Sequence, residues 1–111
     1  MLMTDFIQVS TTTEHKQDAE KIAIELVTRK LAACVQVLGP ILSTFVWKEK
    51  IEVSSEWLCV AKTRRDAFKQ VEQVIGELHP YEVPEILATP IVDGSAGYLD
   101  WLEAQTGEGD L

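Results

Sequence analysis

The chain is poor in the residues that build metal centres and catalytic machinery, with two cysteines and two histidines in 111 residues. Cys34 and Cys59 each sit inside an apolar β-type run, Ala33-Cys34-Val35 and Leu58-Cys59-Val60, and no Cys-x-x-Cys spacing occurs. The expectation is two buried free thiols, with neither a disulfide nor a zinc site. With His15 and His79 as the sole imidazoles and no G-x-S-x-G elbow, a nucleophile–base triad is not indicated and the chain is not read as an enzyme. Positive charge is scarce too: 10 Lys and Arg stand against 18 Asp and Glu, for a formal net charge of −8. Such a chain repels a phosphate backbone, and no basic stripe offsets this locally, which argues against nucleic acid as a partner. No apolar run approaches the ~20 residues of a membrane-spanning helix. Met1 to Asp5 lacks a basic n-region, so no secretory or transit signal is read there and the cytoplasm is the expected compartment.

What is present describes one domain. Residues 1–111 form a single unit, with a structured core expected over 4–104 and a polar tail over 105–111, long enough for a real core and small enough to gain from a partner subunit. Phe6–Ser10 is a β-rich run, and the hydroxyls of Thr11-Thr12-Thr13 are placed to cap a following helix. Ala19, Ile22, Ala23, Leu26, Val27 and Leu31 keep the i, i+3, i+4, i+7 rhythm of an amphipathic helix of about four turns. Ala32–Leu38 reads as a buried strand, interrupted by a bulge or bend at Gly39-Pro40 and resumed by Ile41–Trp47. After the short polar Lys48-Glu49-Lys50 come Ile51–Val53 and Trp57–Thr63, the return of a long hairpin. Phe68, Val71, Ile75 and Leu78 mark a second helix, and Ile86–Val92 a last strand whose Pro90 makes it an edge or a strand end. The cluster Asp93–Gly97 leads to a short terminal helix over Tyr98–Ala104. The order β-α-β-β-α-β, with right-handed crossovers, gives an α+β ferredoxin-like sheet with both helices on one face and an extra C-terminal helix. The open face and the overlong hairpin both call for association with further copies.

The best site candidate is His79-Pro80-Tyr81-Glu82-Val83-Pro84-Glu85. Its two prolines fix two φ angles and push His79 and Val83 out of the helical region. A stiff loop carrying an imidazole, a phenol and carboxylates holds polar groups in place at little ordering cost when something binds. The plainer alternative is that His79 closes the helix, Tyr81 packs and the prolines stop the helix. A lone His79 beside Glu82 and Glu85 supplies at most part of a metal shell. Trp47, Trp57 and Trp101 read first as core or interface residues. Glu56 and Lys62 lie six apart on one strand and so share a face.

In joint order, Leu31-Ala32-Ala33-Cys34-Val35, Ser43–Trp47, Glu56, Lys62-Thr63, His79–Glu85 and Tyr98-Leu99-x-Trp101 resemble the CutA family of divalent-cation tolerance proteins over Phe6 to Leu102. The resemblance implies a cytoplasmic homotrimer, similar in architecture to the PII signal-transduction proteins, with the long hairpin building sheets between subunits. The leading expectation is a ligand cleft between subunits of such a trimer, involving Trp47, Glu56, Lys62, Tyr81 and Glu85, with His79 as the metal-binding residue. Cu(II) or another divalent cation is the implied ion, and no organic cofactor is implied; an unknown protein partner or small-molecule ligand remains open. Copper ligands proposed for some members fall here on Ser10, Leu78 and His79, so one of the three keeps its donor. The family's Trp-Glu-Gly-Lys is Trp47-Lys48-Glu49-Lys50 in this chain.

Overall fold

In the computed structural model, which describes residues 5–106, the first strand does not stop at Ser10. Strand β1 spans Phe6–Thr13, and its threonines lie opposite Cys59, Leu58 and Trp57. β-Branched residues suit a pleated surface between neighbours, and all three are buried, so they extend the sheet instead of capping a helix. Helix α1, Lys16–Thr28, follows His15 at its N-cap position with no side-chain cap; the Thr13 hydroxyl donates to the His15 carbonyl at 2.8 Å. Ala19, Ile22 and Leu26 form its buried stripe. The helix ends three residues before Leu31 because Lys30 turns left-handed (φ 59°), and the Leu31 and Ala32 amides bond back to the Leu26 carbonyl.

Strands β2 (Cys34–Trp47) and β3 (Lys50–Arg64) build the long hairpin. The interruption read at Gly39-Pro40 is a register shift between Leu38 and Ile41 inside one continuous strand. β3 is likewise continuous, since Ser54, Ser55 and Glu56 pair with Ser43, Leu42 and Ile41. Lys48 and Glu49 close the hairpin with φ of 52° and 68°, the pair of positive values that a tight primed turn requires. A 3-10 turn over Arg65–Ala67 leads into α2, Phe68–Leu78, which buries Val71, Val74 and Ile75. Strand β4 is shorter than Ile86–Val92, pairing over Leu87–Pro90 at the sheet edge with Pro90 as its last residue. Helix α3 covers Ala96–Ala104. The buried Thr106, whose hydroxyl donates to the Leu102 carbonyl, extends the ordered packing past residue 104. Of the tail read over 105–111, residues 107–111 lie outside the described residues, as do residues 1–4.

The sheet order is β2-β3-β1-β4, each neighbour antiparallel. This is the interleaved pair of βαβ units expected for the ferredoxin-like arrangement. Ile7, Val9, Cys59 and Ala61 meet the α1 and α2 stripes in one core. On the opposite face α3 packs against β3, with the Lys62 ammonium 5.8 Å from the Tyr98 ring. The chain therefore covers part of its own open face. The outer hairpin stays bare: β1 accompanies β3 as far as the Thr13–Trp57 pair, beyond which Lys50–Glu56 pairs with β2 alone. Leu42 and Ile51 on this ribbon are 74% and 77% exposed.

Candidate functional site

The end of α2 decides how the site is built. Pro80 holds His79 extended (φ −81°, ψ 131°), which stops the helix, while the His79 amide closes its last turn on the Ile75 carbonyl at 2.9 Å. The imidazole turns inward and is 8% exposed, with Nε2 2.8 Å from the Thr12 carbonyl oxygen. A carbonyl can only accept, so Nε2 carries the proton, and Nδ1 is left to accept the Tyr81 amide at 3.2 Å. Nε2 thus ties the loop to β1, and Nδ1 holds the loop's own first turn.

Tyr81 provides the second anchor. Its ring lies 4.7 Å from that of His79, and its hydroxyl donates to Glu56 Oε2 at 2.6 Å. Burial, then the Glu56 hydrogen bond and the negative charges of Glu56, Glu14 and Asp18, push the phenol well above its ordinary value. The phenol therefore stays a donor. Glu56 is 6% exposed although it is a carboxylate, because the loop closes over it where β1 has ended. The loop is pinned through His79 to one strand and through Tyr81 to another.

Between this loop and the hairpin ribbon lies a cleft of about 990 Å³. Trp47, Glu56, Tyr81 and Glu85 all line it, together with Phe45, Glu14, Glu52 and Glu82. Among the described residues, five glutamates and no Lys, Arg or His contribute to the walls. Within one chain Lys62 does not join them; it lies opposite Gln8 and Cys34, with its ammonium beside the Tyr98 ring of α3. His79 sits behind the wall as an anchor. Phe45 was legible in principle, since it is two residues from Trp47 and shares its face, and Glu52 lies directly opposite Phe45. Glu14 carried no signal, because its place depends on where β1 ends. A smaller cavity of about 430 Å³ between α1 and α2, lined by residues such as Arg29, Gln70 and Glu77, is separate from these groups.

The donor set does not fit a closed metal shell within one chain. Among the described residues no group of three or more His, Cys, Asp and Glu could hold a metal ion. Ligation by His79 would require giving up the Tyr81 amide at Nδ1 or the Thr12 carbonyl at Nε2. Ser10 pairs with Val60 and Leu87 inside the sheet, and Leu78 packs against the core. Cys59 is buried as expected, with its thiol pushed up to about 11 by burial, whereas Cys34 is half-buried; both are free.

Comparison with known proteins agrees with this architecture. The model of the CutA1 divalent ion tolerance protein family matches residues 7–105. The chain belongs to the CutA family. Among its relatives, the divalent-cation tolerance protein CutA of Thermus thermophilus is 40% identical over 96 residues, which cover 86% of this chain and 93% of that one. The chloroplastic CutA of Arabidopsis thaliana is 37% identical over 90% of this chain, which spans 55% of that protein's length. A solved structure, the periplasmic divalent cation tolerance protein CutA of Archaeoglobus fulgidus, superimposes with a TM-score of 0.87 at 37% identity, covering 90% of this chain and 97% of that one. The same CutA sheet thus serves proteins named for different compartments.

Proposed function

We propose that this CutA chain acts as a non-catalytic homotrimer that responds to divalent cations, with a PII-like signalling role, through the acidic cleft between the hairpin and the 79–85 loop. The observation that carries the reading is the cleft wall itself: among the described residues, five glutamates and no basic side chain around one concavity, in a family named for tolerance of divalent ions. Carboxylate oxygens suit hard or borderline divalent ions better than Cu(I), and with His79 occupied by its structural bonds an oxygen-bound ion fits better than Cu(II) on imidazole. Assembly is supported by the ribbon, since a two-stranded hairpin is marginal alone and this one exposes Leu42, Val46, Ile51 and Val53 to water. The two free thiols suit the reducing cytoplasm, the compartment we assign to it. A non-catalytic role accords with a phenol held protonated against the one buried carboxylate of the cleft.

A second reading is favoured by the engagement of His79 and Tyr81: a structural or protein-interaction trimer whose loop groups stabilise the fold and whose acidic surface gathers cations weakly. Calorimetric titration of the full chain with Cu(II), Zn(II), Ni(II) and Mn(II), alongside Glu85→Gln and His79→Ala variants and with the assembly mass measured on the same samples, separates the two. Saturable binding that Glu85→Gln weakens supports cation response. Non-saturating heats insensitive to either substitution refute it and favour the structural reading. A monomeric mass, with Ile51→Asp making no difference, refutes the trimer.

A further inference from the structure

Between β4 and α3 one backbone amide turns onto the side chain that precedes it. Strand β4 pairs as far as Pro90, and the Ile91 amide donates the last backbone bond to β1, to the Phe6 carbonyl at 3.0 Å. Helix α3 starts after Ser95, whose carbonyl accepts the Leu99 amide at 3.0 Å. Between these anchors Val92, Asp93 and Gly94 are exposed and belong to no ladder. The Gly94 amide donates to Asp93 Oδ1 at 2.8 Å. Among the described residues this is its one hydrogen bond, and the Asp93 carboxylate has no ion-pair partner. Asp93 Cγ is one bond from that oxygen, so the amide nitrogen and the carboxyl carbon of the preceding residue are held as neighbours. Such proximity speeds an intramolecular attack. Glycine suits the step because it has no Cβ to crowd a forming five-membered ring. It also suits the packing, since a Cβ here would stand 3.1 Å from Leu99 Cγ and Cδ2. Other aspartates are placed differently. Asp66 is held by Arg64 at 2.7 Å, and Asp100 lies inside α3, where the following amide belongs to the helix ladder.

We propose that Asp93 is a site of spontaneous aspartyl isomerisation in the folded chain. A small turn of the carboxyl about Cα–Cβ brings Cγ onto the Gly94 nitrogen. That nitrogen gives up its proton and bonds to Cγ, the C–O bond of the protonated carboxyl breaks, and one water leaves, closing a succinimide. Water then adds back to the ring. Cleavage of the new Cγ–N bond restores aspartate, whereas cleavage between the Asp93 main-chain carbonyl carbon and the Gly94 nitrogen leaves the chain running through Cβ and Cγ, as isoaspartate. Nothing is oxidised or reduced, and the product has the mass of the starting chain. Its main chain is one carbon longer at the point where Leu99 already closes on Gly94, immediately before α3. Its freed α-carboxylate is the group that carboxyl-methylating repair enzymes accept, which names the class of enzyme that would act on the aged chain.

The test is incubation of the full chain in its native assembly for several weeks at neutral pH and physiological temperature, beside a sample kept unfolded in urea. Peptide mapping by mass spectrometry, with enzymatic methylation of isoaspartate, reads the product residue by residue. Isoaspartate is expected at position 93 of the folded chain, no slower than in urea and faster than at Asp66 or Asp100, together with a trace of material lighter by one water. Gly94→Ala should slow it. Asp93→Glu keeps the charge and the glycine but requires a ring one atom larger, and should abolish the product; this variant leaves the packing of Gly94 against Leu99 untouched should Gly94→Ala fail to fold. No product at position 93 would overturn the proposal. Product in urea alone would overturn it as well, because the folded contact would then protect the bond. Equal rates at positions 66, 93 and 100 would overturn it by making the local geometry irrelevant.

Discussion

Substituting Tyr81 by Phe isolates one oxygen atom. The ring that packs 4.7 Å from His79 remains, the backbone amide that bonds to Nδ1 remains, and the 2.6 Å hydrogen bond to Glu56 disappears. A hydrogen bond to a charged group contributes about 1.5–3 kcal/mol when well shielded. Tyr81 is partly open to water, which places the expected loss lower, at about 1–2 kcal/mol. Urea denaturation at pH 7, at fixed chain concentration so that assembly does not shift the midpoint, measures it. The pH dependence adds an independent check. The folded-state value of the phenol lies above its unfolded value of about 10, so the folded chain keeps a proton that the unfolded chain releases. Stability from this group is therefore complete below about pH 10 and is lost as pH rises through the folded-state value. Tyr81→Phe should remove this part of the alkaline loss and leave that of Cys59 in place. Equal stability of variant and wild type at pH 7, together with an unchanged alkaline limb, would refute the claim that the phenol pins the loop.

Thr11 is 1% exposed and its hydroxyl has no hydrogen-bond partner among the described residues, so Thr11→Val, which keeps the shape and removes the unpaired group, should stabilise the chain by about 1 kcal/mol in the same urea assay. A Cβ added at Gly39 would stand 2.6 Å from Trp57 Cε3, so Gly39→Ala should displace that indole and cost about 1–3 kcal/mol, read as a lower melting temperature with an altered near-ultraviolet aromatic spectrum. Cys59, 2% exposed, has its thiol raised from 9.0 to about 11 by burial. Its share of stability is present below pH 9 and lost between pH 9 and 11, up to about 2–3 kcal/mol, a slope that Cys59→Ala should remove. The Cys59 thiol should also resist a thiol reagent until the chain unfolds.

The fold was largely legible because the two periodicities that define it are strong here. Ile22 and Leu26 on α1, and Val71 and Ile75 on α2, recur at helical spacing and are all buried. The errors fell where local chemistry and tertiary pairing disagree. Thr11-Thr12-Thr13 has the composition of a helix cap, but a partner strand was available at Trp57–Cys59, and β-branched residues continue a sheet when one is offered. Ser54-Ser55-Glu56 has weak strand character by itself and is held by pairing with Ile41–Ser43. The candidate site was legible as a stiff loop, and Trp47, Glu56, Tyr81 and Glu85 do meet around one cleft. Within one chain Lys62 stands apart from that group, because sharing a strand face with Glu56 says nothing about the Tyr98 ring of α3 beside its ammonium.

His79 shows how one residue can belong to the site without facing its ligand. Pro80 imposes the extended backbone, the extended backbone turns the imidazole under the loop, and the Thr12 carbonyl then fixes the tautomer that lets Nδ1 accept the Tyr81 amide. Tyr81 in turn reaches Glu56, so an uncharged imidazole and a neutral phenol together hold a buried anion at the base of the cleft. His79→Ala should then loosen Tyr81 and expose Glu56, weakening a cleft ligand through mobility of the loop. His79→Gln offers an amide donor toward the Thr12 carbonyl and should recover part of the loss. Recovery by Gln distinguishes this role from metal ligation, because a carboxamide is a poor substitute for an imidazole at a divalent transition ion. Binding abolished alike by Ala and Gln, with Tyr81 still hydrogen-bonded to Glu56, would make His79 a ligand after all.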